Sequence, residues 1–359
     1  MHIKELFRAM VQLEASDLFL RTHAVPRARI HGVIKEIGSE LVTEPEMRAI
    51  TGLLLAQEER RTRFEKNLDI DFAHYEPDIG RFRINLFMQR GTPAIVARHI
   101  HTQVRSFEDL HLPADLLKTL CGESSGLVLM TGPAGSGKTT TIASMIDQIN
   151  STAHKHIVTI EDPIEFLFND KKCIINQREL EADVLSYPAA LKHVTQQSPD
   201  IIFIGTIRDV DTMRAAIMAT ELGAFVLSTF HTVNAVQTIT RIINFFPPYL
   251  HDEVRMQLSI ILKAVISLRL IPRIDQPGRV PAYETMVVTP TIARLIREGK
   301  INEIQNFIDE GELLGMLSFK KHLVHLVKQG IINEDDARLV ASSKNDFNLE
   351  LKGIRRHLK

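Results

Sequence analysis

The sequence predicts an α/β protein, and two patterns carry that prediction. Residues 127–130 are four consecutive apolar residues, typical of a buried strand, and the segment GPAGSGKT follows closely at 132–139. Apolar residues then recur at helical spacing between 142 and 149. From 119 to about 270, strand-like and helix-like segments alternate. This alternation indicates a mainly parallel sheet with helices on both faces.

The GPAGSGKT segment fits the GxxxxGK[ST] pattern and has the strand and the helix that a P-loop requires on either side. Glycines allow backbone N–H groups to surround a phosphate, and the helix N-terminus adds partial positive charge. Lys138 would reach the β- and γ-phosphates, and the Thr139 hydroxyl would bind Mg²⁺. The sequence therefore predicts nucleoside triphosphate binding. The predicted phosphate-binding residues are Gly132, Pro133, Ala134, Gly135, Ser136, Gly137, Lys138, Thr139 and Thr140.

Composition narrows the class of protein. A length of 359 residues predicts two or three domains, and a formal net charge of −1 gives no electrostatic footprint for nucleic acid. Cys121 and Cys173 show no CxxC spacing, so we expect neither a zinc site nor a disulfide framework, and a reducing cytoplasm is the default. No run of about 18 apolar residues is present, so we expect no direct membrane insertion.

Four regions are predicted. Residues 1–100 form a small α/β domain whose strands include 68–72 and 80–87, each with alternating apolar residues. Residues 101–118 form a linker, 119–280 the P-loop core, and 281–359 a C-terminal helical subdomain. The remaining N-terminal predictions are a helix at 3–15, strands at 17–20, 27–34 and 94–98, and a long helix after Glu44-Pro45 with a charged tail at 58–63. The predicted core strands are 127–130, 156–160, 201–204 and 225–228, with helices 138–149, 187–197 and 210–222.

Arginines on the N-terminal strands admit two interpretations. Arg81, Arg83, Arg90 and Arg98 are either solvated charges on an exposed sheet face or a surface that meets phosphates or carboxylates of another subunit.

Polar residues follow three of the core strands. Glu161, Asp162 and Glu165 come after the second strand, where a Mg²⁺-bound water or a general base belongs; solvated acids at a strand exit are the alternative. Thr206 follows the third strand, at a position where an acid would ordinarily meet Mg²⁺ or its water. His231 follows the fourth, as a γ-phosphate sensor or as a packed core residue.

Together these motifs resemble the secretion-type ATPases, and most closely the PilT/PilU group of type IV pilus retraction motors. The likeness covers nearly the whole chain in motif order and spacing. The matching segments are SDLF (16–19), GPAGSGKT (132–139), TIEDPIEF (159–166), NQRE (176–179), PDIIFIGTIRD (199–209), HT (231–232), FFP (245–247) and ARLIREGK (293–300).

The resemblance implies a PAS-like N-terminal domain, a RecA-like core and a homohexamer that binds ATP and Mg²⁺. It implies that Arg81, Arg83 and Arg98 approach the phosphates, and that Glu165, with Glu161 behind it, orients or deprotonates the attacking water. It also implies a cytoplasmic ring docked on an inner-membrane pilus platform protein. The lack of CxxC pairs separates the chain from the extension and type II secretion relatives, which carry a tetracysteine zinc site.

Three departures from the family pattern concern hydrolysis. Thr206 replaces a glutamate, Ala224 replaces the first histidine of the His box, and the segment 194–199 lacks an arginine and a carboxylate. We interpret all three as lying on the nucleotide edge of the sheet. We therefore expect ATP binding with weak hydrolysis, since losing one charge-positioning group costs about 10²–10³ in rate.

The leading hypothesis is a pilus retraction motor subunit, with an active paralogue as a candidate partner. The alternatives are a regulatory ring subunit that binds ATP without doing work, and a RecA-like nucleic-acid motor. The neutral charge and the lack of a basic, aromatic-rich tract count against the last.

Overall fold

A computed structural model describes residues 2–30, 32–100 and 104–353. Residues 1, 31, 101–103 and 354–359, which belong to the predicted N-terminal domain, linker and C-terminal subdomain, lie outside the described residues. The chain divides into two compact units. The first takes residues from 1–103 and 163–167, and the second takes residues from 104–162 and 168–359. The four predicted regions and their boundaries stay predictions.

The first unit contains one six-stranded antiparallel sheet in the order β3-β2-β1-β6-β5-β4. On β5, Phe82, Ile84 and Leu86 enter the core, while the alternate residues are only partly buried. The core also takes in apolar residues from all three helices, so the helices pack on one face of the sheet. The elements are α1 Ile3–Gln12, β1 Ala15–Arg21, β2 Arg27–Ile30, β3 Val33–Glu36, α2 Glu44–Leu54, α3 Glu58–Asn67, β4 Asp69–Glu76, β5 Gly80–Gln89 and β6 Thr92–Ile100.

Two N-terminal predictions differ from the structure. The predicted strand 27–34 is a hairpin, since β2 and β3 pair antiparallel and Gly32 has a φ of 85°, which favours glycine. The predicted long helix is two helices. The first, α2, begins at a capping box in which Thr43 accepts from the Glu46 backbone, and it ends before the charged segment that forms α3.

The second unit is built on a seven-stranded sheet in the order β13-β12-β7-β11-β10-β8-β9. Six strands are parallel and β13 is antiparallel at one edge. Its first elements are α4 Ala114–Cys121, β7 Gly126–Thr131, α5 Lys138–Thr152, β8 His156–Glu161, β9 Ile174–Glu179, α6 Tyr187–Val194, β10 Ile201–Ile204, α7 Val210–Glu221 and β11 Phe225–Phe230. They are followed by α8 Ala235–Phe245, α9 His251–Ile261, β12 Leu262–Pro272, β13 Arg279–Val287, α10 Pro290–Arg297, α11 Ile304–Glu310, α12 Phe319–Lys328, α13 Glu334–Val340 and α14 Lys344–Leu351.

Both faces of this sheet are covered, as the alternation predicts. On β7, Val128 and Met130 pack in a cluster with α5, whereas Leu127 and Leu129 pack in another with α6 to α9. A further cluster joins the β12–β13 hairpin to α12, α13 and α14. The strands β9 and β12 were not predicted from the sequence.

Because six strands of this sheet are parallel, their carboxyl ends share one edge, and the predicted polar segments lie at that edge.

Candidate nucleotide site

The glycine-rich loop leaves β7 and enters α5 with no room for side chains at its first position. Gly132 has a φ of 141°, and a Cβ there would meet the Leu268 carbonyl oxygen at 2.4 Å and Ser136 Oγ at 2.6 Å. Gly137, with a φ of 94°, lies directly before α5. Glycine is therefore required for the loop to fold back against β12. In this conformation the N–H groups of the loop lie at the N-terminus of α5, where such groups can bind an anion.

Lys138 begins α5 and lies over the loop. It is 7% exposed, and its Nζ donates to the carbonyl oxygens of Gly132 at 2.9 Å and of Pro133 at 2.8 Å. Ser136 Oγ is buried and has no hydrogen-bond partner within the described residues. An ammonium group and a buried hydroxyl group thus face the same loop, as phosphate binding requires.

Thr139 and Thr140 follow Lys138 in the first turn of α5, and both are partly buried. No group of three or more His, Cys, Asp or Glu residues able to hold a metal ion occurs in the described part of the chain. Mg²⁺ commonly keeps several waters and takes substrate phosphates together with one or two protein oxygens, so a single hydroxyl such as that of Thr139 is a chemically suitable ligand.

Glu161 ends β8 as a buried carboxylate, 3% exposed. Its Oε1 accepts from Thr159 Oγ1 at 2.7 Å and from Gln177 Nε2 at 3.3 Å. Gln177 lies on β9, a strand that the sequence missed, within the NQRE segment. Glu161 is therefore held in a fixed orientation by its neighbours in the sheet.

The two acids that follow Glu161 belong to different units: Asp162 to the second and Glu165 to the first. Asp162 lies 3.8 Å from the Arg208 guanidinium, and both side chains are well exposed, so this ion pair stabilises little. Glu165 lies in the segment 163–167, which belongs to the first unit. Its predicted role as the base stays a prediction.

Thr206 follows β10 at the same carboxyl edge as the loop. Its Oγ1 lies 2.9 Å from Thr229 Oγ1, and Thr229 donates to the Gly205 carbonyl oxygen at 2.6 Å. Because Thr229 uses its only proton on Gly205, Thr206 is the donor between the two hydroxyls. At the position where an acid is expected, this chain thus has the neutral hydroxyl of Thr206, which donates its hydrogen bond to Thr229.

Tyr187 supports this strand end, and the sequence analysis missed it. Its hydroxyl oxygen would lie 2.8 Å from a Cβ at Gly205, so a side chain at that position would displace Tyr187. The pKa of Tyr187 is raised chiefly by burial, with smaller contributions from Asp162 and Glu161, while a hydrogen bond with the Thr206 backbone acts in the opposite direction. A tyrosine at the start of a helix carries no local signal for such a contact.

His231 follows β11 and lies beside the loop. Although the side chain reaches solvent, its pKa is lowered from the ordinary value, first by burial and then by the positive charges of Lys138 and Arg208. A hydrogen bond with the Gly132 backbone acts in the opposite direction. The imidazole is therefore neutral at pH 7 and stands next to the predicted phosphate position.

The interpretation that three departures share the nucleotide edge is wrong for two of them. Ala224 directly precedes β11, and the segment 194–199 is separated from β10 by Asp200 alone, so both lie at the amino ends of parallel strands. His231 and Thr206 follow the carboxyl ends of those strands. A six-residue strand such as β11 spans about 20 Å. Thr206 is thus the departure that lies beside the loop in this chain.

The predicted phosphate-contacting arginines lie in the first unit, where two of them have carboxylate partners. Arg98 Nε donates to Asp17 Oδ1 at 2.9 Å, and Arg83 Nε donates to Asp71 Oδ2 at 2.8 Å. Asp17 is 5% exposed and also accepts from Arg29 at 3.2 Å. Arg83 and Arg98 are cross-strand partners, so the acids offset their mutual repulsion. Arg81 is partly buried on the same strand as Arg83. Phosphate contact by these arginines stays a prediction.

A glycine-rich loop between a buried strand and a helix, at the carboxyl edge of a parallel sheet, is the architecture of the P-loop nucleotide-binding proteins. A model of the type II/IV secretion system protein family matches residues 2–335. The chain therefore belongs to this family and, within it, to the PilT/PilU-like type IV pilus retraction ATPases. The predicted family and fold class are confirmed.

The relatives that support this assignment match over nearly their whole length. The type IV pilus retractation ATPase PilT of Pseudomonas aeruginosa is 39% identical over 347 residues, covering 97% of this chain and 100% of its own. The type IV pilus ATPase PilU of the same organism is 38% identical over 352 residues, covering 98% and 92%. A crystal structure of the pilus retraction motor PilT with bound ADP matches with a TM-score of 0.89 at 40% identity, covering 96% of this chain and 98% of that one.

Among the described residues, no helix is both long enough and apolar enough to cross a membrane.

Proposed function

We propose that this chain binds ATP and Mg²⁺ in the loop 132–139 and works as one subunit of a homohexameric motor that retracts type IV pili. The observation that carries the proposal is the loop itself, with Gly132 packed too closely for any side chain and the buried Lys138 amine facing the loop. The PilT motor structure that matches this chain holds ADP, which supports a nucleotide at the equivalent loop.

The proposed roles follow the chemistry of each group. Lys138 leaves the loop carbonyls to stabilise charge on the β- and γ-phosphates, and the Thr139 hydroxyl binds Mg²⁺. The metal ion neutralises phosphate charge when it is bound. The neutral His231 ring donates one hydrogen bond to a γ-phosphate oxygen and so distinguishes ATP from ADP.

Hydrolysis needs a water that is oriented and deprotonated. We assign that role to Glu165, with Glu161 fixed behind it, and we assign phosphate contacts to Arg81, Arg83 and Arg98. Thr206 donates a hydrogen bond to Thr229, and its hydroxyl is not a base near neutral pH. It therefore does not help to orient or deprotonate the water. We therefore propose that hydrolysis is slow. The motor would act on the inner-membrane pilus platform protein from the cytoplasmic side.

A second candidate function rests on Thr206 alone. A ring subunit that binds ATP but barely hydrolyses it would serve as an accessory or regulatory subunit beside an active paralogue.

Mass measurement and a cell assay test these proposals. The purified chain with Mg·ATP should give a particle of about six times the 40.6 kDa of one chain, and a monomer at all concentrations would contradict the ring. In cells that lack both this chain and any paralogue, pilus retraction restored by this chain alone would establish the motor. Restoration only together with the paralogue would establish the accessory role.

The matched pair of variants for that assay is Lys138→Ala and Lys155→Ala. Lys155 precedes β8 at the amino edge of the sheet and donates to the Glu123 carbonyl oxygen at 3.2 Å. Lys138→Ala should abolish whatever activity the chain restores, and Lys155→Ala should retain it. Equal loss in both would contradict a specific role for the loop.

A further inference from the structure

Two charged side chains lie inside the second unit, on the β12–β13 hairpin, and the proposed hydrolysis does not use them. Glu284 on β13 is 3% exposed. Arg269 on β12 is partly buried, and its guanidinium lies 4.5 Å from the centre of the Phe319 ring. In the hairpin register, Glu284 pairs with Ser267 and Arg269 pairs with Ala282, so the two positions are close in the ladder.

Both side chains reach the same short segment, which begins two residues after His231. Glu284 Oε1 accepts from the Ala235 backbone N–H at 3.1 Å, and an Arg269 amine donates to the Val233 carbonyl oxygen at 3.4 Å. Asn234, between them, caps α8 by accepting from the Gln237 N–H. The hairpin therefore holds the chain on both sides of this cap, directly behind the imidazole that stands beside the phosphate loop.

The same two side chains also reach the C-terminal helices. Glu284 Oε2 accepts from Gln305 on α11 at 3.4 Å, and Arg269 donates to the carbonyl oxygen of Val340, the last residue of α13. Gln305 in turn lies 3.5 Å from Asp309, which forms an ion pair with Lys320 on α12 at 2.6 Å. Two hydrogen-bonded routes thus join α11 and α13 to the segment 233–235.

Burying these charged groups is energetically unfavourable, so stability alone does not explain why they occupy these positions. Burial raises the pKa of Glu284 most strongly, and Asp309 adds to the rise, while Ala235, Gln305 and Arg269 oppose it. Apolar residues of similar size would stabilise such an interior as well or better. Buried polar networks instead fix one arrangement of the groups that they join.

We propose that Arg269 and Glu284 are positioning residues that couple the C-terminal helices α11 and α13 to the segment behind His231. When the γ-phosphate engages His231, the segment 233–235 shifts, and the two side chains carry the shift to α11 and α13. The inference rests on the proposed nucleotide site. It adds the route by which that site changes a distant part of the same unit.

Hydrogen–deuterium exchange on the full-length protein tests the coupling. Exchange is compared in peptides that span 304–310 and 334–340, with Mg·ADP and with a non-hydrolysable Mg·ATP analogue, after calorimetry has shown that each nucleotide is bound. The wild-type protein should exchange at different rates in the two states. A coupling of this kind corresponds to a change of about 5–150-fold in the underlying equilibrium.

The variant pair is Arg269→Met and Arg279→Met. Arg279 begins β13 on the same hairpin and is exposed. Arg269→Met should lose the difference between the two nucleotide states in the 334–340 peptide and keep its affinity for ADP, whereas Arg279→Met should keep both. If Arg269→Met does not fold, Glu284→Ala takes its place and should lose the difference in the 304–310 peptide; a difference there that persists overturns the route through Glu284.

Each other outcome overturns something definite. Identical exchange in the wild-type protein with both nucleotides bound overturns the coupling and leaves the proposed function standing. A difference in 334–340 that persists in Arg269→Met overturns the assigned route. Failure of the wild-type chain to bind either nucleotide overturns the proposed function and the coupling with it.

Discussion

The end of β7 and the end of β10 lie on the same edge of one parallel sheet, yet they differ in what they can do. After β7, the loop has each group that phosphate binding needs: glycines at positive φ, a buried ammonium and a helix N-terminus. After β10, Thr206 donates to Thr229 on the neighbouring strand β11, and Thr229 donates to the Gly205 carbonyl oxygen. The groups suited to bind phosphate and the position where an acid is missing thus belong to separate strand ends, so we expect a substitution after β10 to leave phosphate binding intact.

Lys138→Ala should show the largest effect of any change at the β7 end. It removes the charge that stabilises the transferring phosphoryl group, so turnover should fall by about 10²–10³. Steady-state phosphate release at saturating Mg·ATP measures this, with Lys155→Ala as the matched control. A fall that is the same in both variants would show that the loop has no special role.

Gly132→Ala should weaken nucleotide binding more than Gly135→Ala. A Cβ at Gly132 would meet a backbone oxygen at 2.4 Å, whereas nothing lies within 4 Å of a Cβ at Gly135. A side chain at positive φ costs about 1–2 kcal/mol, so the Gly135 variant should lose about 5–30-fold in affinity. The added contact at Gly132 should bring the cost there to about 3 kcal/mol, or about 150-fold.

Titration with a fluorescent ATP analogue measures both affinities. A larger loss in Gly135→Ala than in Gly132→Ala would contradict the loop geometry described above.

Thr206→Glu should make the β10 end resemble an ordinary hydrolytic site. A carboxylate there could orient or deprotonate a water, and a general base commonly contributes at least about 10²-fold, so a tenfold rise in turnover is a conservative expectation. The matched control is Thr206→Gln, because the glutamine side chain has nearly the same shape as that of glutamate and no charge. If both variants hydrolyse ATP at the wild-type rate, the missing acid does not limit the reaction.

His231→Ala should have the smallest effect, and it concerns selectivity. Loss of one net hydrogen bond worth about 0.5–1.5 kcal/mol should lower the ratio of ATP affinity to ADP affinity by about 2–12-fold. His231→Gln keeps an amide donor and acceptor and should restore much of the ratio.

Comparison of the wild-type protein with His231→Ala at two pH values also tests the protonation state of His231. Because its pKa is lowered, the ring is neutral at pH 7, and the part of the ratio that depends on His231 should not change between pH 7 and 8. Calorimetric titrations with each nucleotide at both pH values measure this. A steep change in that interval would show that the charged ring is the active form.

The sequence could predict what depends on neighbouring residues. The loop 132–139 is recognisable because strand, glycines, lysine and helix are contiguous, and the alternation of strands and helices is enough to predict a parallel sheet. The strand β12 was missed for a local reason. Helix α9 ends at Ile261 and β12 begins at Leu262, with no glycine or proline between them, and an apolar run alone does not separate helix from strand.

Other features depend on residues that are distant in sequence. Tyr187 meets the backbone of Thr206, and Glu284 meets that of Ala235, only because the sheet order brings their elements together. Position along a strand was also misjudged. Ala224 and Thr206 are both departures from the family pattern, but they lie at opposite ends of neighbouring strands, which the family comparison alone did not reveal.

The central claim is that this chain binds ATP well and hydrolyses it slowly. The most direct test measures both on one preparation of the full-length protein: equilibrium binding of Mg·ATP by calorimetry, and steady-state phosphate release at saturation. We expect one bound nucleotide per chain and turnover at least about tenfold below the enzyme median of about 10 s⁻¹. Turnover at or above that median would contradict the account, and so would the absence of saturable binding.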